Sequence, residues 1–172
     1  MRAVTSSVSQ KIGILRKCWQ TYRDDQIVTR CFYSFILPFF EYCSVVWMAA
    51  APTHLNILRR AFTSAKFFVP AAVELEHRRT IAAVCILRKI LNNTDHPMHS
   101  RLPGPAHAVR RTRRARRMNS LARVSAVSHN SSQFNRSFLP SAIEIWNFLP
   151  EELVNTRTMN SFKSKVNRHL LA

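Results

Sequence analysis

The residues best suited to chemistry in this sequence are arginines. In the run Arg110-Arg111-Thr112-Arg113-Arg114-Ala115-Arg116-Arg117, six guanidinium groups fall within eight positions. A guanidinium pairs bidentately with phosphate oxygens, and neutralising several phosphates at once releases condensed counterions, so such a run points to tight, salt-sensitive binding of a nucleic-acid backbone. The same string fits a nuclear import signal read by an acidic receptor groove, which places the chain inside the cell and in the nucleus. A solvated basic loop is the plainest reading of all. Arg110, Arg111, Arg113, Arg114, Arg116 and Arg117 are the first candidate contacts, and Lys163, Lys165 and Arg168 near the C-terminus form a second set.

Carboxylates offer a different chemistry. Tyr22-Arg23-Asp24-Asp25 matches, letter for letter, the Tyr-x-Asp-Asp box in which RNA-templated polymerases hold two metal ions with paired carboxylates. That box needs a hairpin tip between apolar strands and a further aspartate from upstream. The flanks here carry helical periodicity, so Asp24 and Asp25 are expected to cap a helix and to have no catalytic part. His96, His99 and His107 sit in a Pro-rich stretch with no cysteine beside them, a poor match to zinc-ligand spacing, and no cofactor is expected. Cys18, Cys31, Cys43 and Cys85 are far apart among apolar residues and read as reduced core thiols. Nothing has the local signature of a nucleophile elbow or a protease motif.

The elements that must position these groups follow from composition and period. The chain has 172 residues, 26 Lys+Arg against 9 Asp+Glu, a formal net charge of +17 and 47% hydrophobic residues. Apolar content of that order supports a folded core, so the charge does not mark a wholly disordered tail. Gly13 and Gly104 are its two glycines, which disfavours an all-β fold, a dinucleotide fingerprint and a P-loop. The N-terminal residues lack the apolar region of a secretory signal, so the Asn-x-Ser/Thr matches at Asn92, Asn130 and Asn135 count as chance.

Helical spacing dominates the first 92 residues. Ile12, Leu15, Trp19 and Tyr22 form one stripe; Ile27, Val28, Cys31, Phe32 and Phe35 form a second, which Pro38 should end. Phe39, Tyr42, Val45, Val46 and Trp47 resume the pattern. Positions 31–51 are apolar enough to suggest a membrane span, but Glu41 and Pro38 near the middle are expensive in hydrocarbon, and a buried helix pair is expected instead. The aromatics Phe32, Tyr33, Phe35, Phe39, Phe40, Tyr42 and Trp47 have the chemistry to stack on bases, yet at helical spacing they read as core. Thr53 should cap a helix whose Leu55, Leu58, Phe62 and Ala65 share a face, and Ile81, Val84, Leu87 or Arg88, and Leu91 mark another. Between His96 and Ile143 there are nine arginines and no acidic residue, the composition of an extended basic arm. Beyond it, Phe138 to Leu149 is densely apolar, Pro140 and Pro150 sit where helices begin, and Asn160 or Ser161 should cap a last helix carrying Phe162, Val166 and Leu170.

Several of these strings together resemble a known family. Lys11-Ile12-Gly13-Ile14-Leu15-Arg16-Lys17, Tyr33-Ser34-Phe35-Ile36-Leu37-Pro38-Phe39-Phe40-Glu41-Tyr42-Cys43-Ser44-Val45-Val46-Trp47, His54 to Ala61, Leu75 to Cys85, Arg136 to Pro150 and Asn160 to Leu170 are similar, in order, to blocks that follow the polymerase core in non-LTR retrotransposon reverse transcriptases of the jockey-like and related groups. The resemblance covers nearly the whole chain. It implies thumb helices and a C-terminal extension that grip RNA template and primer during target-primed synthesis. The endonuclease, the fingers and the palm with its metal-binding aspartates have no counterpart here, nor has the zinc knuckle of some relatives. Asp24 and Asp25 fall in the thumb-like block and inherit no catalytic role.

The expectation is therefore a mainly α chain in three parts: a thumb-like helical bundle over residues 1–92, a basic, partly disordered arm over 93–135 and short C-terminal helices over 136–172. Its expected function is that of a non-catalytic fragment or remnant of an RNA-directed DNA polymerase. The expected partners are RNA or an RNA:DNA duplex, held by backbone phosphates, and the palm of a longer polyprotein; no membrane is expected. The alternative is a helical protein-interaction module whose basic arm directs it to the nucleus.

Overall fold

The computed structural model describes residues 2–104, 124–126 and 129–171, residues 2–5 by their backbone alone. These residues are mainly helical and contain no extended strand, so the small helical bundle expected from the spacing is the fold observed. Two compact units make up the chain, Met1–Arg79 and Thr80–Ala172, and the division falls inside one helix, Leu75–Asn92.

The first unit opens with α1 (Arg2–Tyr22), which buries Val8 and Leu15 and half-buries Ile12 and Trp19, one stripe at intervals of three and four. Tyr22 departs from the expected stripe and is exposed, because the helix ends there. The chain then turns through Arg23, whose φ of 51° is left-handed without a glycine. Its N–H donates to the Trp19 carbonyl at 3.1 Å and its guanidinium lies 4.5 Å from the Trp19 ring centroid.

Asp24 caps α2 (Asp25–Cys31): its Oδ1 accepts the N–H groups of Gln26 at 2.7 Å and Ile27 at 3.3 Å. Asp25 adds a carboxylate to the positive end of the helix dipole. Pro38 does not end this winding as expected. Residues Phe32–Ile36 form a π turn in which the Leu37 N–H reaches back to the Phe32 carbonyl, and α3 (Leu37–Glu41) continues with Pro38 in its first turn. The wider turn admits the proline ring, which an unbroken α-ladder would exclude. The break comes later, at Tyr42 and the left-handed Cys43, before α4 (Ser44–Trp47).

α5 (Pro52–Lys66) starts at a proline that needs no N–H, with Ala51 as a cap lacking a side-chain bond; Thr53 lies inside the helix and is not the cap. Its buried face is Leu58, Phe62 and Ala65. α1 lies against α2 and α5, and the core joins Val8 and Leu15 to Val28, Phe32, Ile36, Phe40 and Phe62. Phe62 is its hub, with ring centroids 6.1 Å from Phe32 and 5.3 Å from Phe40, the latter edge-on at 87°. Arg78 and Glu41 form an ion pair at 2.5 Å, and Lys66 pairs with Glu74.

The second unit takes most of α6 (Leu75–Asn92), a short 3₁₀ turn at His99–Arg101, then α7 (Ser132–Asn135), α8 (Phe138–Phe148), α9 (Glu151–Val154) and α10 (Met159–Leu171). Ile81, Val84, Leu87, Ile143, Trp146, Phe162 and Val166 are buried, and the Trp146 and Phe162 rings stand 5.8 Å apart. Leu87 and Arg88, alternatives in the sequence pattern, are both buried. Pro150 precedes α9 as expected, whereas α8 starts two residues before Pro140. Neither Asn160 nor Ser161 caps α10; Thr158 does part of that work, its Oγ1 accepting the Ser161 N–H at 3.2 Å. Asn147 holds Val124 by both backbone groups, accepting its N–H at 3.1 Å and donating to its carbonyl at 2.8 Å.

Candidate nucleic-acid interface

The six clustered arginines, Arg110, Arg111, Arg113, Arg114, Arg116 and Arg117, lie outside the described residues. The second set is on α10. Phe162 and Val166 anchor that helix, and Lys163, Lys165 and Arg168 are exposed. At about 100° per residue, Lys165 and Arg168 share one flank, three positions apart, and Lys163 stands on the other. α10 therefore presents two separate basic edges rather than one.

Lys163 has company that sequence reasoning missed. Burial pushes the half-buried Cys85 thiol above its ordinary range, and the charges of Lys163, Lys89 and Arg88 act in the opposite direction. Lys89 on α6 and Lys163 on α10 are both exposed, and the charge of each bears on Cys85. No local pattern joins positions 85 and 163; their coupling is a product of packing.

Not every cation is available to a phosphate. Arg88 is 5% exposed, its guanidinium 4.3 Å from the Phe162 ring centroid and its Nη2 donating to the Thr156 carbonyl. Burial lowers its pKa, opposed by Cys85. Its Nη1 has no hydrogen-bond partner among the described residues, nor have Nε and Nη2 of Arg79, another buried arginine whose pKa burial lowers and Glu76 raises. Such groups serve packing, since a guanidinium inside a fold has already exchanged its water for protein.

The aromatic residues divide where the sequence reading did not. Phe32 and Phe40 are core as expected, and Trp47 packs against it. Tyr33, Phe35, Phe39 and Tyr42 are exposed, because one helix face alone meets the bundle. Cys43 likewise is exposed, at the left-handed break, and is no core thiol; all four cysteines are free.

Asp24 is the cap between α1 and α2, and Asp25 is the first residue of α2. Nδ1 of His96 accepts the Met98 N–H at 3.1 Å, and His107 lies outside the described residues. Among the described residues no three metal-ligating side chains gather. No helix there is long and apolar enough to cross a membrane. Compared with protein-family models, curated proteins and solved structures, the chain matches none.

Proposed function

We propose that the chain is a non-catalytic part of a retrotransposon RNA-directed DNA polymerase, its thumb and C-terminal extension, and that it holds RNA or an RNA:DNA duplex by the phosphate backbone. The observation that carries this reading is the placement of charge. Nine arginines and no acidic residue fall between His96 and Ile143, in a chain whose described residues are mainly helical. Lys89 and the α10 residues Lys163, Lys165 and Arg168 are further exposed cations. Contacts are to phosphates and sugars, so affinity depends on salt and duplex shape far more than on base sequence.

The reading is tested by titrating the full chain with single-stranded RNA, an RNA:DNA duplex and a duplex DNA of equal length at several salt concentrations. Retention of RNA or RNA:DNA with a steep salt dependence supports it. A salt-insensitive association with a protein, without retention of any nucleic acid, would favour an interaction module whose arm serves nuclear import. A primer-extension assay completes the test: incorporation abolished by D24N and D25N would overturn the non-catalytic assignment.

A further inference from the structure

We propose that the exposed aromatic residues of the first unit form a stacking platform for unpaired bases. The proposal rests on the nucleic-acid reading above and narrows its ligand to a segment of single strand.

Phe35, Phe39 and Tyr42 are 64%, 38% and 75% exposed. Their spacing of four and then three residues sets them along one flank of the winding that runs from α2 through the π turn into α3, while Phe32, Ile36 and Phe40 take the buried face. Phe35 and Tyr42 keep most of their surface in water, at a cost in solvation that a packed core would have recovered, and Phe39 between them has one ring face under Lys11; an uncovered ring face suits a planar ligand. The stripe is held at its middle and at one end. Lys11 of α1 sets its Nζ 4.5 Å from the Phe39 centroid, and Trp47 Nε1 donates to the Tyr42 carbonyl at 3.0 Å.

Charge decides which planar ligand fits. An ammonium stands at the middle ring, and the one carboxylate within the stripe, Glu41, is already paired with Arg78. The first 79 residues carry 11 Lys+Arg against 5 Asp+Glu. A ligand with flat apolar faces and a polyanionic backbone complements this surface, and rings beside cations are the arrangement by which single-strand binders engage bases and phosphates together. A duplex keeps its base faces stacked inside and offers nothing to these rings.

The test compares a fluorescently labelled oligouridylate with an abasic strand of equal length, which keeps the phosphates and removes the bases. The full chain is expected to bind the base-bearing strand at least about fivefold more tightly for each ring engaged. The variant F35A/F39A/Y42A should bind both strands equally, with its salt dependence unchanged. Circular dichroism checks its fold, and Y42A alone, at the end of the stripe, replaces it if folding fails. Substituting the six clustered arginines should flatten the salt dependence and preserve the preference for bases. Salt-dependent binding with equal affinity for the two strands overturns the platform and leaves the phosphate reading standing; no binding of either strand overturns both. A stripe variant that dissociates a dimer and keeps the base preference also overturns the proposal, by assigning this face to a second copy.

Discussion

Replacing Phe62 by alanine should remove a large share of the stability of the first unit. Phe62 is 1% exposed, and its ring meets Phe32 at 6.1 Å and Phe40 at 5.3 Å, so truncation empties the point where α5, the π turn and α3 converge. Those neighbours are large rings fixed to helices and cannot collapse into the space. Loss of transfer energy plus the residual cavity then costs about 3–5 kcal/mol, against the roughly 5–15 kcal/mol that holds a domain together. For a urea slope of about 2 kcal/mol/M, the midpoint falls by about 2 M. The assay is equilibrium urea unfolding followed by tryptophan fluorescence in a Trp146→Phe background, in which Trp19 and Trp47 report on the first unit alone. Val46→Ala, at a residue 74% exposed, is the control and should change stability by about 0.5 kcal/mol or less. A Phe62→Ala midpoint as close to the parent's as that of the control would refute the aromatic hub.

Asp24→Ala removes the acceptor of two N–H groups at the start of α2 and should lower stability by about 1 kcal/mol in the same urea assay, whereas Asp24→Asn should recover most of the loss. Asn147→Ala breaks both hydrogen bonds to Val124, and amide exchange at Val124 should quicken with little change in α8 itself. Alkylation at neutral pH, read by mass spectrometry, should label exposed Cys43 first. Because burial raises the Cys85 pKa, less of that thiol is thiolate at any given pH, and its labelling rate should keep rising at pH values where an ordinary cysteine has reached its plateau. Equal rates at Cys43 and Cys85 in the folded protein would contradict that placement.

Much of the helical architecture is legible in the sequence because burial imposes a period. Leu15, Leu58, Phe62, Val84, Phe162 and Val166 recur at three- and four-residue steps and are all buried. Where the reading failed, a local rule met a tertiary circumstance. Pro38 breaks an α-ladder, yet a π turn just upstream accommodates it. Thr53 is a good capping residue, but the proline before it starts the helix two residues earlier, with Ala51 as the cap. Phe35 and Phe39 are as apolar as Phe32 and Phe40, and composition cannot say which of two aromatic flanks faces the bundle. Arg88 reads as the polar edge of a stripe until the Phe162 ring and the Thr156 carbonyl, both distant in sequence, close over it. The candidate interface divides the same way: the phosphate chemistry of the arginine run follows from residue type, and the parting of Lys163 from Lys165 and Arg168 follows from helix geometry. The bearing of Lys163 on Cys85, 78 positions away, depends on packing that no local pattern encodes.

The central claim is that this chain grips nucleic acid through clustered arginines, and the most direct test is the salt dependence of RNA binding by the full chain and by a variant with Arg110, Arg111, Arg113, Arg114, Arg116 and Arg117 changed to Gln. Each phosphate neutralised on a single strand contributes about 0.7 to the slope of log affinity against log salt. If all six arginines engage, the variant's slope should be shallower by about 4, with weaker binding at physiological salt. An unchanged slope and an unchanged affinity at physiological salt would contradict the account.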